Sequence, residues 1–161
     1  MLFYLTYLLF TTQIKTMKRR YWIGVASLNH VQISVSEGFS QVCHGKKQPL
    51  QRMKKNDVIF YYSPTIRLGS NDKCQCFTAM GRIRDDKVYQ VEVSSDFVPF
   101  RRHVEFYLDV QHAPIHNLIS QLDFIENKVK YGEKFRFGLF EVSKKDAITI
   151  WNEMKVNKEQ V

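Results

Sequence analysis

The sequence predicts a small α+β domain built on a curled sheet. Three observations carry that expectation. The chain is 161 residues long, a length that suits one domain burying about 70% of the surface its unfolded chain exposes. Apolar residues make up 44% and aromatic residues 14%, with 12 Phe and 8 Tyr, unlike the aromatic-poor composition of disordered chains. Roughly five strand-like segments are interspersed with three helical ones, and no repeat, low-complexity tract or Pro/Gly/Ser linker divides them.

The opening "MLFYLTYLLFTTQIKT" has an apolar run from Leu2 to Phe10, far short of the roughly 20 residues that span a bilayer. It lacks the basic n-region and small-residue cleavage site of a signal peptide. Met17 opens "MKRRYWIGVAS", which reads as a protein start. Residues 1–16 are therefore expected to be an upstream mis-start or a disordered extension, residues 17–154 one domain, and residues 155–161 a tail.

"RYWIGVAS" is aromatic and β-branched, a buried strand. Ser27 or Asn29 caps a short helix carrying Val31 and Val35 on one face, which Gly38 ends. Pro49 and the polar "KKND" lead to a second strand, "DVIFYYSP", closed by Pro64 and the turn-rich "LGSNDK". In "CQCFTAMGRI" alternation puts Phe77, Ala79 and Ile83 on one face and Cys74, Cys76, Thr78 and Met80 on the other. Asp85 and Asp86 then read as the turn of a hairpin into "VYQVEV". "HAPIHNLISQLDFI" spaces Ile115, Leu118, Ile119 and Leu122 for a helix face, and "EKFRFGLFEV" reads as a strand apolar on both faces. A final helix is capped by Ser143, with Asp146 at its third position and Ile150, Trp151 and Met154 packed inward.

Charge narrows the partners. Twenty-four Lys and Arg against 16 Asp and Glu give a net +8 and a pI near 9.4, which favours polyanions and makes nucleic acid the first partner to test. The three cysteines, Cys43, Cys74 and Cys76, are an odd set and fit a reducing cytoplasm. With His44 they offer four zinc-type ligands, but as adjacent or one-apart residues they miss the usual ligand spacing, so no metal and no cofactor is expected. Cys43 as a nucleophile lacks a recognisable base, since adjacent His44 gives only weak support, and a buried thiol explains it better. No paired carboxylates, Walker loop or dinucleotide fingerprint appears. The stronger constellation joins cations to rings. Lys46, Lys47, Arg52, Lys54 and Lys55 follow the loop "GFSQVCHG", while Arg101, Arg102 and His103 follow Phe97, Pro99 and Phe100. Cations hold phosphate and aromatic faces stack on bases; a solvated charged surface over core rings is the competing explanation.

The motifs "YWIGVAS", "GFSQVCHGK", "YYSP", "FTAMGRI", "VYQVE", "PFRRHV" and "FRFGLFE", in that order, resemble the EVE domain in its stand-alone prokaryotic form, over Met17 to Met154. The resemblance implies a PUA-like pseudo-barrel of about five to six strands, related to the YTH domains that read a methylated base in RNA. It further implies binding of DNA or RNA, with a modified base held in an aromatic-lined pocket and no catalysis. The implied base pocket takes Ser27 and Asn29 after the first strand, Phe39 where YTH domains carry a cage Trp, and His44 in the pocket wall. It also takes Tyr62, Ser63 and Pro64 at the second-strand exit and Phe100 on the facing loop. Trp22 lies inside its strand, where stacking on the base and burial in the core are both open. Lys46, Lys47, Arg101 and Arg102 are the expected phosphate contacts. An enzyme acting on RNA or nucleotides, or a pocket for a non-nucleic small ligand, is the alternative. A monomer or weak dimer without membrane attachment is expected.

Overall fold

The computed structural model describes residues 18–156. The expected mis-start over residues 1–16 and the expected domain start at Met17 lie outside the described residues. Seven strands form one sheet, ordered β2-β5-β4-β3-β1-β7, with the short β6 on β4. They are β1 (Tyr21–Val25), β2 (Phe39–Ser40), β3 (Val58–Thr65), β4 (Lys73–Gln90), β5 (Phe100–Phe106), β6 (Ala113–Pro114) and β7 (Leu139–Val142). Three helices accompany them: α1 (Leu28–Glu37), α2 (Lys47–Arg52) and α3 (Lys144–Met154). The fold is mixed α+β, as the sequence predicts; the strands expected at 74–83 and from Val88 are one strand, β4, while β2, β5 and β6 were not expected as strands.

β3 organises the molecule. Residues 58–63 are all buried because a run of β-branched and aromatic residues packs well on both faces of a pleated strand. Val58, Phe60 and Tyr62 enter one core with Ile23, Phe77, Phe135, Phe140 and Ile150. Ile59 and Tyr61 enter another with Trp22, Leu50, Met53, Ala79, Ile83 and Val104. β1 lies parallel to β3, and the crossover that parallel pairing demands carries α1, β2 and α2. Val31 and Ser34 of α1 are buried, and Gly38 ends that helix at φ 71°, donating its N–H to the Ser34 carbonyl at 2.9 Å. The terminal helix is capped as its sequence predicts: Ser143 Oγ accepts the Asp146 N–H at 3.0 Å.

Four local expectations are corrected. Asp85 and Asp86 do not turn a hairpin; β4 runs unbroken past them. The β4–β5 register shifts between Ile83 and Val88, so that residues 84–87 face His103 alone. This bulge wraps the buried Arg102 guanidinium, which donates to the Asp85, Leu50 and Met53 carbonyls. Phe77 does not share a face with Ala79. The β3–β4 register slips between Tyr61 and Tyr62, and a one-residue slip exchanges faces. Phe77 thus joins the Tyr62 core while Ala79 and Ile83 join the Trp22 core.

Residues 115–122 form a 3-10 turn at Ile115–Asn117 and further turns instead of a long helix, although Ile115, Leu118 and Leu122 point inward as spaced. Side chains take the backbone groups there: the buried Asp146 carboxylate accepts the Asp123 and Phe124 N–H groups at 2.8 and 3.2 Å. Finally, Tyr131–Phe137 is a 3-10 segment and β7 starts only at Leu139. Gly138 at φ 72° makes the corner, which lets Phe135 reach in and stack on Tyr62 at 3.8 Å between ring centroids.

Candidate nucleic-acid interface

The loop after β2 explains the run "VCHGKK". Cys43, His44 and Gly45 take φ values of 51°, 58° and 75°, three successive left-handed residues. Each non-glycine residue held there costs on the order of 1 kcal/mol or more, so the surroundings must impose the shape. Gly45 permits it: a Cβ at that position would overlap Pro99, so the loop rests directly on the β4–β5 connection. Gly138 does the same on the other flank, where an added Cβ would come within 2.9 Å of Cys43 Sγ. The loop is clamped between two close approaches that only glycine allows.

The clamped loop forms one wall of a cleft of about 530 Å³, within the size range of small-ligand sites. Ser27, Asn29, His30 and Gln41 line it with polar groups; Pro64, Leu68, Phe97 and Phe135 supply apolar surface; Arg136 adds a cation. α1 sets the polar side, since its first turn presents Asn29 and His30 to the cleft, with Ile33 one turn further on, while Val31 and Ser34 are buried. Asn29 Oδ1 accepts the Ser27 hydroxyl at 2.7 Å and the His30 N–H at 2.9 Å. Two donors fix the amide's orientation, and its two N–H groups have no hydrogen-bond partner among the described residues.

His30 is held below the ordinary histidine range, first by burial and also by the Arg101 charge, against the raising effect of the Gln41 carbonyl. The ring therefore enters the cleft neutral. Burial pushes the Cys43 thiol up despite Lys46 and Arg52. Its Sγ faces the Phe137 carbonyl at 3.8 Å. Among the described residues no group of three or more His, Cys, Asp or Glu side chains is arranged around a metal position.

A second depression of about 380 Å³ adjoins the cleft and shares His44 and Phe97 with it; Gly45, Lys46, Lys47, Gln48, Val98, Pro99 and Phe100 complete its lining. Phe97 stands on this ridge, 40% exposed. The tight turn Ser94–Phe97 holds it there, with Phe97 N–H donating to the Ser94 carbonyl at 3.1 Å and the Phe97 carbonyl accepting the Val93 N–H at 3.0 Å.

Of the residues expected from sequence, Ser27, Asn29, His44 and Pro64 line the cleft, and His44, Phe100, Lys46 and Lys47 line the neighbouring depression. Others lie elsewhere. Trp22 is buried, its indole N–H donating to Asp57 at 2.9 Å. Tyr62 and Ser63 are buried, the first in the aromatic core and the second hydrogen-bonded to Thr78 at 2.8 Å. Phe39 is buried beneath Arg101, whose guanidinium lies 3.7 Å from the ring centroid and whose Nε donates to Gln41 at 2.9 Å. Arg102, 1% exposed, has its charge committed to the Asp85 carbonyl of the bulge and the Leu50 and Met53 carbonyls at the end of α2, and sits out of reach of a phosphate. His30, Gln41, Leu68, Phe97, Phe135 and Arg136 were not among the expected pocket residues. The helix period signals His30 and Ile33, and the "SSD" turn signals an exposed Phe97; nothing local signals Phe135 or Arg136.

Among the described residues no helix is long and apolar enough to cross a membrane. The fold is similar to the NMR structure of a protein from Rhodopseudomonas palustris, with a TM-score of 0.54 at 14% identity over 83% of this chain and 92% of that one. It is also similar to the crystal structure of an Agrobacterium tumefaciens protein, with a TM-score of 0.50 at 10% identity over 83% and 91%. In sequence the chain is 50% identical over 137 residues to a UPF0310 protein of Streptococcus mutans, spanning 85% of this chain and 98% of that protein. A UPF0310 protein of Helicobacter hepaticus is 47% identical over 125 residues, spanning 78% and 89%. The EVE domain pattern matches residues 20–153, and the chain belongs to the EVE domain family.

Proposed function

We propose that the protein binds DNA or RNA without chemical turnover and takes one extruded base, distinguished by a modification, into the 530 Å³ cleft. The observation that carries this reading is the oriented Asn29 amide beside Ser27. The amide offers donors and the hydroxyl oxygen keeps a lone pair, so donor and acceptor stand side by side, the pattern a base edge requires. Phe97, Pro64 and Leu68 offer apolar surface for the base's faces. Lys46, Lys47 and Arg136 give the rim its positive charge.

The lining favours binding over catalysis. Among the described residues it contains no carboxylate and its one thiol, Cys43, has its pKa raised by burial and faces a carbonyl instead of a base. Extruding a base costs a few kcal/mol, and stacking on one ring returns about 1 to 3 kcal/mol. Burying a methyl group adds about 0.8 kcal/mol, roughly a fourfold preference, so stronger selectivity has to come from the polar edge.

Fluorescence-polarisation titration of the full chain against matched oligonucleotides, unmodified or carrying 5-methylcytosine, 5-hydroxymethylcytosine or N6-methyladenine, tests the reading. A preference for one modification that weakens in Phe97→Ala is the expected result. Equal binding to all, fading with salt, would reduce the interface to a basic surface.

A further inference from the structure

The depression beside the cleft is equipped for a ligand of its own. Its floor is Pro99 under Gly45, the close approach that fixes the loop, so its shape is set before anything binds. Its walls are apolar at Val98, Pro99 and Phe100, and among the described residues no carboxylate lines it. Among the described residues neither Lys46 nor Lys47 has a carboxylate within 4.0 Å, while eight ion pairs form elsewhere. Lys47 Nζ instead lies 5.6 Å from the Phe100 ring centroid. Two uncommitted cations over an apolar, ring-bearing floor match a phosphate joined to a flat heterocycle. The depression meets the cleft at the ridge of His44 and Phe97.

We infer that this depression is the subsite for the nucleotide adjoining the one in the cleft, so that the ligand is a strand of at least two nucleotides and not a free nucleoside. Lys46 and Lys47 hold the phosphate between the two, and Phe97 separates the bases. The inference rests on the proposed cleft reading. An acidic peptide would satisfy the lysines but leave the apolar floor without a flat partner.

The test is an NMR titration of the full chain, isotopically labelled. The probes are 2′-deoxynucleoside 5′-monophosphates of the four bases, 5-methylcytosine and N6-methyladenine, and each of these extended by one thymidine. The monophosphate of the preferred base is expected to shift the amide signals of residues 27–30. Its dinucleotide is expected also to shift residues 46–48 and 98–100 and to bind about tenfold tighter, a gain lost in the Lys46→Ala/Lys47→Ala double variant. If the monophosphate shifts residues 27–30 but the dinucleotide binds no tighter, or the gain survives the double substitution, the second subsite is wrong and the cleft reading stands. If neither ligand moves residues 27–30, the cleft reading fails and the subsite with it. Shifts at residues 46–48 by polyglutamate and not by the dinucleotide would overturn the inference in favour of a protein partner.

Discussion

The aromatic layer on one face of β3 and the mouth of the cleft use the same residue types to opposite ends. In the layer, Tyr62 stacks on Phe135 at 3.8 Å and meets Phe77 edge-on at 5.6 Å, with Phe140 and Phe124 closing around Phe135. Tyr62, Phe77, Phe135 and Phe140 are buried. At the mouth, Phe97 is 40% and Leu68 81% exposed, and the polar groups nearby are oriented but not all paired. What separates the regions is backbone geometry. β3 pairing and one register slip turn the β3 rings and Phe77 inward, whereas a tight turn holds Phe97 out and the start of α1 holds the Asn29 amide at the cleft. A ring in the doubly buried β3 is core even when polar groups flank it in sequence, and the ring at the 94–97 turn is available.

The largest effects should fall on the buried rings. Phe77→Ala and Phe39→Ala should each cost about 3 to 5 kcal/mol of stability, the usual range for removing a buried ring, read as a lower urea midpoint at unchanged slope. A Phe39→Ala protein that unfolds at the wild-type midpoint yet loses oligonucleotide binding would move Phe39 to the mouth. Gly45→Ala forces a side chain into a left-handed position against Pro99, and a loss of about 1 to 3 kcal/mol is expected. Unchanged stability there would mean that the loop is not clamped.

Phe97→Ala should separate the two regions cleanly. Its stability should stay within about 0.5 kcal/mol of wild type, while the affinity for the preferred oligonucleotide falls by about 1 to 3 kcal/mol. The reverse pattern would make Phe97 a core residue. The smallest effect concerns His30. Because its folded-state pKa lies below the ordinary value, the unfolded chain binds the extra proton first. Stability is therefore fully present above about pH 6.5 and declines as pH falls through the folded pKa. Urea unfolding between pH 8 and 5 should show a shallower acid decline in His30→Gln than in wild type; identical slopes would remove His30 from the account. Asp85, lowered because hydrogen bonds from His103 and the Lys87 N–H outweigh its burial, acts in the same direction only below the carboxylate range.

Elements with local signals were legible in the sequence. β1, α1 with its Gly38 stop, β3 and the Ser143-capped α3 follow from runs of a few residues that fix their own geometry. The misread segments depend on distant partners. β4 stays whole at Asp85 because Arg102 arrives from β5. The segment at Ile115–Leu122 keeps only a few helical bonds and stops where Asp146, on the terminal helix, takes the Asp123 and Phe124 N–H groups. The site divides the same way. Ser27 and Asn29 were expected only through the resemblance to the family's pocket, and Lys46 and Lys47 from the cationic run after the glycine loop; the first two line the cleft and the lysines line the depression beside it. Tyr62 was expected in the pocket by the same resemblance and Trp22 was open between stacking and burial; both are buried, because a motif match does not show which face of a doubly buried strand a ring takes. Phe135 reaches the cleft floor only through the corner at Gly138, which no pattern in its own segment announces.

If the Asn29 amide donates to a base held in the cleft, Asn29→Asp should remove that bond and little else. A carboxylate keeps both acceptor bonds, from the Ser27 hydroxyl and the His30 N–H, but removes the amide donors. The fold should melt as wild type. Fluorescence polarisation against the preferred modified oligonucleotide and its unmodified match should then give an affinity lower by about tenfold, or ~1.4 kcal/mol, with the preference between the two gone and the salt dependence retained. An Asn29→Asp protein that binds both oligonucleotides with wild-type affinity and preference would contradict the account and place the base elsewhere.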